Sequence, residues 1–315
     1  VLNGVLFFPV TPFDDDDHVA LDVLREHLEG GIAFSPGGMF IACGTGEFHA
    51  LAPDEFAAVV TTAVEVAAGR VPVFVGVGGP IALARQYARV AAGAGADGIL
   101  LLPPYLVSAP TQGLVAYVTA VAGETELPLI VYHRGNAQFT VESAVEVAQL
   151  DTVVGFKDGV GDLDLMSRIV LAVRDSIAHS GKQFQFFNGL PTAESSQAAY
   201  RAIGVELYSS ATFAFAPAIA VAFYQALERD DRELVDALSR EFFHPVVRLR
   251  DRVPGYAVSL VKAGAQLTGI ASGHVRPPLV DMAAGHREEL AAILAAGLRV
   301  LEEHGIPTGH PVLAR

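Results

Sequence analysis

A lysine and a tyrosine, each ending an apolar run, are the residues of this chain best equipped for covalent chemistry. Residues 153–162 read VVGFKDGVGD: a short β-branched run ends on Lys157 and a Gly-rich acidic turn follows, the punctuation of a buried parallel strand passing into a loop. Side chains alternate along a strand, so Val153, Gly155 and Lys157 share one face and the amine projects where its neighbours are small. Apolar walls push an amine towards its neutral form, and a neutral lysine can attack a ketone to form a Schiff base. A strand-end lysine paired with Asp158 or Asp162 is the structural alternative. Composition weighs against it: of 21 Lys and Arg residues only Lys157, Lys182 and Lys262 are lysines. Arginine, which cannot form an imine, serves elsewhere.

Tyr132 ends the run LPLIVY, where the same alternation lets it point inward with Ile130. A phenol beside an imine-forming amine can relay protons, although a tyrosine capping the core with its hydroxyl in water fits the same position. Arg134 and Asn136 follow in the next loop, where a guanidinium could grip a carboxylate and an amide meet a hydroxyl. Gly44-Thr45-Gly46 is a small loop whose backbone N–H groups and one hydroxyl suit a carboxylate, and an ordinary tight turn explains it equally. Asp14 to Asp17 form an acidic run without calcium-loop spacing, read as a solvated turn. The ten histidines include no metalloprotease motif, so no metal is expected, and His133 faces away from Tyr132's side as a structural residue. Cys43, the lone cysteine, reads as a packed small hydrophobe.

These residues need a frame, and the chain supplies a repeating one. Up to residue 224, short β-branched runs alternate eight times with Ala-rich amphipathic stretches. The expected strands are 5–10, 38–43, 71–77, 98–102, 127–132, 153–157, 183–187 and 205–208. Helical patterns follow, among them 53–68, 81–93, 141–150 and 193–203. Eight β-α units predict an α/β fold, a (β/α)8 TIM barrel over 1–229, with the active face at the strand C-terminal ends. Seven of those ends carry residues that could do chemistry: Thr11, Gly44-Thr45-Gly46-Glu47, Tyr105, Tyr132, Lys157-Asp158, Asn188-Gly189 and Ser209-Ser210. Beyond the barrel only helical patterns remain, at 231–250, 255–267 and 287–304, with Val275-Arg276-Pro277-Pro278 as a connector, so 230–315 is a C-terminal helical extension.

The bulk properties exclude several classes. A net charge of −14 without a basic cluster argues against nucleic-acid binding, and an anionic substrate would need a local positive site. No uncharged apolar run reaches membrane-spanning length, so no membrane association is expected. A single cysteine excludes an intrachain disulfide framework and fits the cytoplasm. The apolar start lacks a basic leader segment and reads as a first strand, while Val1 in place of Met suggests that residues precede it.

With these residues in view, the chain resembles the dihydrodipicolinate synthase and N-acetylneuraminate lyase superfamily of Schiff-base aldolases and dehydratases. The marks are PVTPF from residue 9, GTGEF from 44, LPPY from 102, the tyrosine ending LPLIVY, and GFKD around Lys157. The resemblance covers nearly the whole chain and implies an imine at Lys157, Tyr132 as partner phenol, and a homotetramer. Sister enzymes usually carry two consecutive hydroxyl residues where Gly44 and Thr45 stand, a second tyrosine where Leu106 stands, and Asn with a nearby proline after the tyrosine equivalent to Tyr132. Those departures leave the synthases' shared-hydroxyl proton relay without its usual residues. Together with FFPVTPF and FNGLPTAE they look most like a decarboxylating dehydratase branch acting on a six-carbon keto diacid.

For such a small sugar-diacid substrate the resemblance implies that Gly44, Thr45 and Gly46 hold the carboxylate beside the imine. Arg134 and Asn136, with Asn188, Gly189, Ser209 and Ser210, would meet the far carboxylate and hydroxyls. No organic cofactor is expected beyond the covalent lysine imine. An aldolase releasing pyruvate shares Lys157 and Tyr132 and stays open. So does a sugar-acid sensor without a trappable imine, whereas a purely structural barrel leaves seven chemically equipped strand ends unexplained.

Overall fold

The structure, a computed structural model, describes residues 1–308. Eight parallel strands close into a barrel in sequence order: β1 (Leu6–Phe7), β2 (Gly38–Ile41), β3 (Val73–Val77), β4 (Gly98–Leu101), β5 (Leu129–His133), β6 (Val153–Asp158), β7 (Gln185–Asn188) and β8 (Leu207–Ser210). Closure is made by β1 against β8, with Leu6 opposite Ser209 and Phe7 opposite Ser210. Helices α1 (Leu21–Ile32), α2 (Pro53–Ala67), α3 (Ile81–Ala94), α4 (Thr111–Ala122), α5 (Val141–Ala148), α6 (Leu163–Ile177), α7 (Gln197–Ala202) and α8 (Pro217–Glu228) alternate with the strands.

Local chemistry explains where these elements begin and which faces they bury. Helix α6 starts where the Asp162 carboxylate accepts the Leu165 N–H at 3.0 Å. Its buried residues Met166, Ile169, Val170, Val173 and Ile177 fall at three- and four-residue spacing, one stripe against the barrel. Each contributes on the order of 2 kcal/mol of gross hydrophobic stabilisation, so a charge at Ile169 would unseat the helix. The strands are buried on both faces, as parallel barrel strands must be. Strand β1 is shorter than the expected 5–10 because Pro9 has no N–H for the ladder. Phe8 nevertheless packs inward, stacked on Phe40 at 4.6 Å, which stacks on Phe74 at 5.1 Å.

After α8 come α9 (Arg232–Leu238), α10 (His244–Arg250), α11 (Tyr256–Leu267) and α12 (Ala284–Glu303). The single helix expected over 231–250 is interrupted by a π-helical turn, Ser239–Phe243, before Pro245 in the first turn of α10. A proline has no N–H for the i−4 bond, and the widened turn lets Phe242 and Phe243 both reach the core. Likewise 193–203 divides into a 3-10 turn, Ala193–Ser195, and α7. Helices α10 and α11 lie over the C-terminal ends of the strands, where they roof a cavity. Among the described residues, no helix is long and apolar enough to cross a membrane.

Candidate active site

Strands β5 and β6 set Tyr132 directly opposite Lys157, and β6 and β7 set Lys157 opposite Phe187. Both Tyr132 and Lys157 open into a cavity of about 460 Å³ at the C-terminal ends of the strands. The lysine side chain is 4% exposed. Its amine lies 4.3 Å from the centre of the Phe8 ring and 4.4 Å from that of Tyr132. Burial depresses its pKa to about 7, and the Arg134 charge acts in the same direction. Among the described residues no carboxylate lies within ion-pair distance of it. Asp158 faces the other side of the strand, where it accepts from the N–H groups of Val160 and Gly161 and from the Tyr200 hydroxyl. Asp162 caps α6, so neither acid is the ion-pair partner that a strand-end lysine would use.

The room for this lysine comes from Gly189, where a Cβ would sit 2.6 Å from Lys157 Cε. Tyr132 donates its hydroxyl to the Gly189 carbonyl at 2.7 Å and accepts from Arg134 Nη1 at 2.8 Å. Burial raises the tyrosine pKa, and the Arg134 charge opposes that rise. His133, on the outward face, accepts the Phe139 N–H at 2.9 Å and packs against Phe156. Burial lowers its pKa. Cys43 is buried at the cavity wall, its thiol pushed up to about 12, and is inert as a nucleophile.

Gly44, Thr45, Arg134, Asn136, Gly189 and Ser209 also line the cavity. Gly46, Asn188 and Ser210 do not. The Gly46 carbonyl turns back to accept the Thr11 hydroxyl at 2.7 Å. The Asn188 amide donates to Ala193 O, Ser196 Oγ and Gln197 Oε1, bracing the turn into α7. Ser210 donates to Glu194 Oε1 at 2.5 Å and accepts from the Phe213 N–H. The reason is strand alternation: Ser209 faces inward, so Ser210 and its neighbours on β7 face the helices. Burial raises the Glu194 carboxyl to about 7, partly offset by the Ser210 hydrogen bond.

Behind the Gly44–Thr45 turn, Glu47 is fully buried, with its Oε1 2.7 Å from Lys262 Nζ on α11. Its Oε2 accepts the Arg276 N–H at 2.9 Å. Lys262 also donates to the His274 carbonyl and sits over Phe13, and burial lowers its pKa. The acidic run is solvent-exposed from Asp14 to Asp17, as expected of a solvated turn, and Asp17 has cationic partners in addition. Asp17 accepts from Arg276 Nε and faces His274 Nε2, both at 2.9 Å, while Arg276 also clamps Glu55. The connector therefore ties the first loop to the extension. Among the described residues there is no group of three or more His, Cys, Asp or Glu placed to hold a metal ion.

Sequence patterns did not reveal the roof of the cavity. Val246 and Arg250 of α10, and Ala257, Val258 and Val261 of α11, line it from above. Arg250 is held by the Pro191 carbonyl at 2.8 Å and Thr192 Oγ1 at 2.9 Å, giving the cavity a second guanidinium. An arginine within a helical extension carries no strand-end signal. Only the rarity of lysine pointed towards Lys262.

The chain matches the model of the dihydrodipicolinate synthetase family over residues 1–297. It is 54% identical over 303 residues to a Streptomyces coelicolor protein named probable 5-dehydro-4-deoxyglucarate dehydratase 1, covering 96% of this chain and 95% of that one. A Streptomyces griseus protein, named probable 5-dehydro-4-deoxyglucarate dehydratase, is 54% identical with 97% and 95% covered. One of the same name from Paracidovorax citrulli is 45% identical with 93% and 94% covered. Among solved structures, dihydrodipicolinate synthase from Oceanobacillus iheyensis superimposes with a TM-score of 0.86 at 23% identity, covering 95% of this chain and 97% of that one. That likeness concerns the fold alone. The chain belongs to the dihydrodipicolinate synthetase family, in the branch whose curated members carry the name 5-dehydro-4-deoxyglucarate dehydratase.

Proposed function

We propose that this protein is a Schiff-base hydro-lyase that dehydrates and decarboxylates 5-dehydro-4-deoxy-D-glucarate to 2,5-dioxopentanoate, CO2 and water. The observation that carries the reading is the buried, carboxylate-free amine of Lys157, opposite Tyr132 on the neighbouring strand, in a chain 54% identical to relatives of that name. Lys157 Nζ attacks the ketone, and loss of water from the carbinolamine gives an imine that acidifies the adjacent methylene. Tyr132, or a water it positions, takes a methylene proton, the next hydroxyl departs as water, and the C=C bond formed is conjugated with the imine. Loss of the distal carboxylate as CO2 sends its bonding pair through this system to the nitrogen. Tautomerisation and hydrolysis then free Lys157 and the product.

In this reading the backbone and hydroxyl of Gly44–Thr45 receive the carboxylate beside the ketone. Arg134 and Asn136 face the distal end, with Ser209 on the wall. Arg134 recruits and orients the far carboxylate. A tight ion pair there would hold back the negative charge that decarboxylation must release. No metal or organic cofactor enters the scheme. We also assign the protein to the cytoplasm as a homotetramer, on the lone cysteine and on the family resemblance.

The test mixes the protein with 5-dehydro-4-deoxyglucarate, follows CO2, 2,5-dioxopentanoate and pyruvate, and treats an aliquot with borohydride for peptide mass. CO2, the dioxo acid and an adduct on Lys157 are expected, and Lys157→Ala should abolish all three. Pyruvate as product would move the protein to the aldolases. Neither product nor adduct would favour a sensor.

A further inference from the structure

The sequence placed Arg134 at the substrate's far carboxylate, but its guanidinium is already engaged with the tyrosine. Arg134 Nη1 donates to Tyr132 Oη at 2.8 Å, while that hydroxyl donates onward to the Gly189 carbonyl at 2.7 Å. Among the described residues these are the two hydrogen-bond partners of the phenol oxygen, and Tyr132 is the one hydrogen-bond partner of the Arg134 side chain. The pair is built into the backbone from two sides. Arg134 and Ala137 exchange both backbone hydrogen bonds at 3.0 Å around Gly135 at φ +57°, a tight hairpin that fixes where the arginine starts. Opposite, Gly159 leaves the space: a Cβ there would lie 2.9 Å from Tyr132 Oη and 3.1 Å from Arg134 Cδ.

We propose that Arg134 serves the reaction through Tyr132, holding the phenol oxygen and stabilising the phenolate that forms whenever Tyr132 gives up its proton. Resting on the Schiff-base reading above, this makes Arg134 a positioning residue for proton transfer as well as a group facing the far end of the substrate. As the carbinolamine collapses, Tyr132 passes its proton to the departing hydroxyl. The C–O bond breaks, water leaves, and the nitrogen lone pair forms the C=N bond. The phenolate then takes a proton from the adjacent carbon, whose bonding pair forms C=C while the imine pair returns to nitrogen.

Between these two transfers the phenolate keeps the Arg134 hydrogen bond, now between opposite charges, and loses only a carbonyl acceptor. A buried phenolate without a cation would be strongly disfavoured. The protonated imine is a second cation over the same interval, but Arg134 is the one hydrogen-bonded to the phenol oxygen. Arg134 keeps its charge.

Pyruvate separates this role from carboxylate recruitment, since it has the ketone and adjacent carboxylate but no distal one. In D2O, proton NMR follows exchange of its methyl protons, which requires imine and then enamine formation, while borohydride trapping measures the imine on Lys157. Arg134→Met should slow exchange at least about tenfold, a fraction of what a positioned proton-transfer group provides. Arg134→Lys and added methylguanidinium should restore part of the rate. Gly159→Ala, which pushes the pair apart without removing either member, should also slow exchange. In a Tyr132→Phe background, Arg134→Met should add no further loss. Parental exchange in Arg134→Met, or full additivity with Tyr132→Phe, would overturn the proposal and leave the Schiff-base reading standing. Absence of any borohydride-trapped adduct on Lys157 in the parent protein, with pyruvate and with 5-dehydro-4-deoxyglucarate alike, would overturn both.

Discussion

Replacing Lys157 by Met should abolish turnover and make the protein more stable. Met keeps an apolar, unbranched side chain where Lys157 is 4% exposed, and removes an amine that has no carboxylate beside it. The Phe8 and Tyr132 rings at 4.3 and 4.4 Å attract an ammonium by about 1 kcal/mol. Desolvating that charge costs several kcal/mol, so burial wins and the pKa falls from 10.5 to about 7. Because the folded value lies below the unfolded one, the unfolded chain binds the extra proton between those two limits, and parent stability rises with pH across that window. Relative to Met, which has no proton to lose, Lys157 costs the fold about 5 kcal/mol at pH 6, about 3 kcal/mol at pH 8 and about 1 kcal/mol at pH 10. At about 2 °C per kcal/mol for a chain of this size, Lys157→Met should melt about 10 °C higher at pH 6, about 6 °C higher at pH 8 and about 2 °C higher at pH 10. Scanning calorimetry at constant ionic strength measures all three. A variant no more stable than the parent at pH 8, or a gain that does not shrink as pH rises, refutes the neutral buried amine on which the imine chemistry depends.

Three further outcomes follow from the same geometry. Lys262→Met strands the buried Glu47 carboxylate and should cost about 4 kcal/mol in urea denaturation, with Glu47→Gln added in the same chain recovering much of it; additive losses would remove the ion pair from the account. Gly189→Ala places a Cβ 2.6 Å from Lys157 Cε, so kcat/KM and the rate of borohydride-trapped adduct should fall at least about tenfold with the far-UV spectrum unchanged, and parental trapping would contradict the packing. Glu194 is raised from 4.5 to about 7, so its contribution is full below pH 4.5 and lost as pH rises through 7; Glu194→Gln should gain about 3 kcal/mol at pH 8 and almost nothing at pH 4.5, and equal gains at both would show that the carboxyl is not held neutral.

Much of the site was legible because a barrel strand has a period of two and a fixed exit. The alternation that turned Lys157 and Tyr132 inward needs only local sequence, and the strand-opposite-strand register of those two residues follows once eight β-α units close. Strand ends were placed less well. Asn188 and Ser210 sit at the correct ends but on the outward face, where they pin the turns that follow; applying the period-two rule one residue further along β7 and β8 would have separated them from Gly189 and Ser209.

The sequence by itself therefore determined the architecture, the inward lysine and tyrosine, and the small-residue loop at Gly44, because each depends on periodicity or on turn chemistry within a few residues. Only the tertiary structure decided what lies above and behind them. Arg250 and α11 reach the cavity from the extension, Glu47 meets Lys262 across 215 positions of chain, and Arg134 turns to the phenol of Tyr132. Such contacts depend on how the helices after the barrel fold back over its open end and on where glycines leave room. Long-range packing settles both, and no local pattern encodes either one.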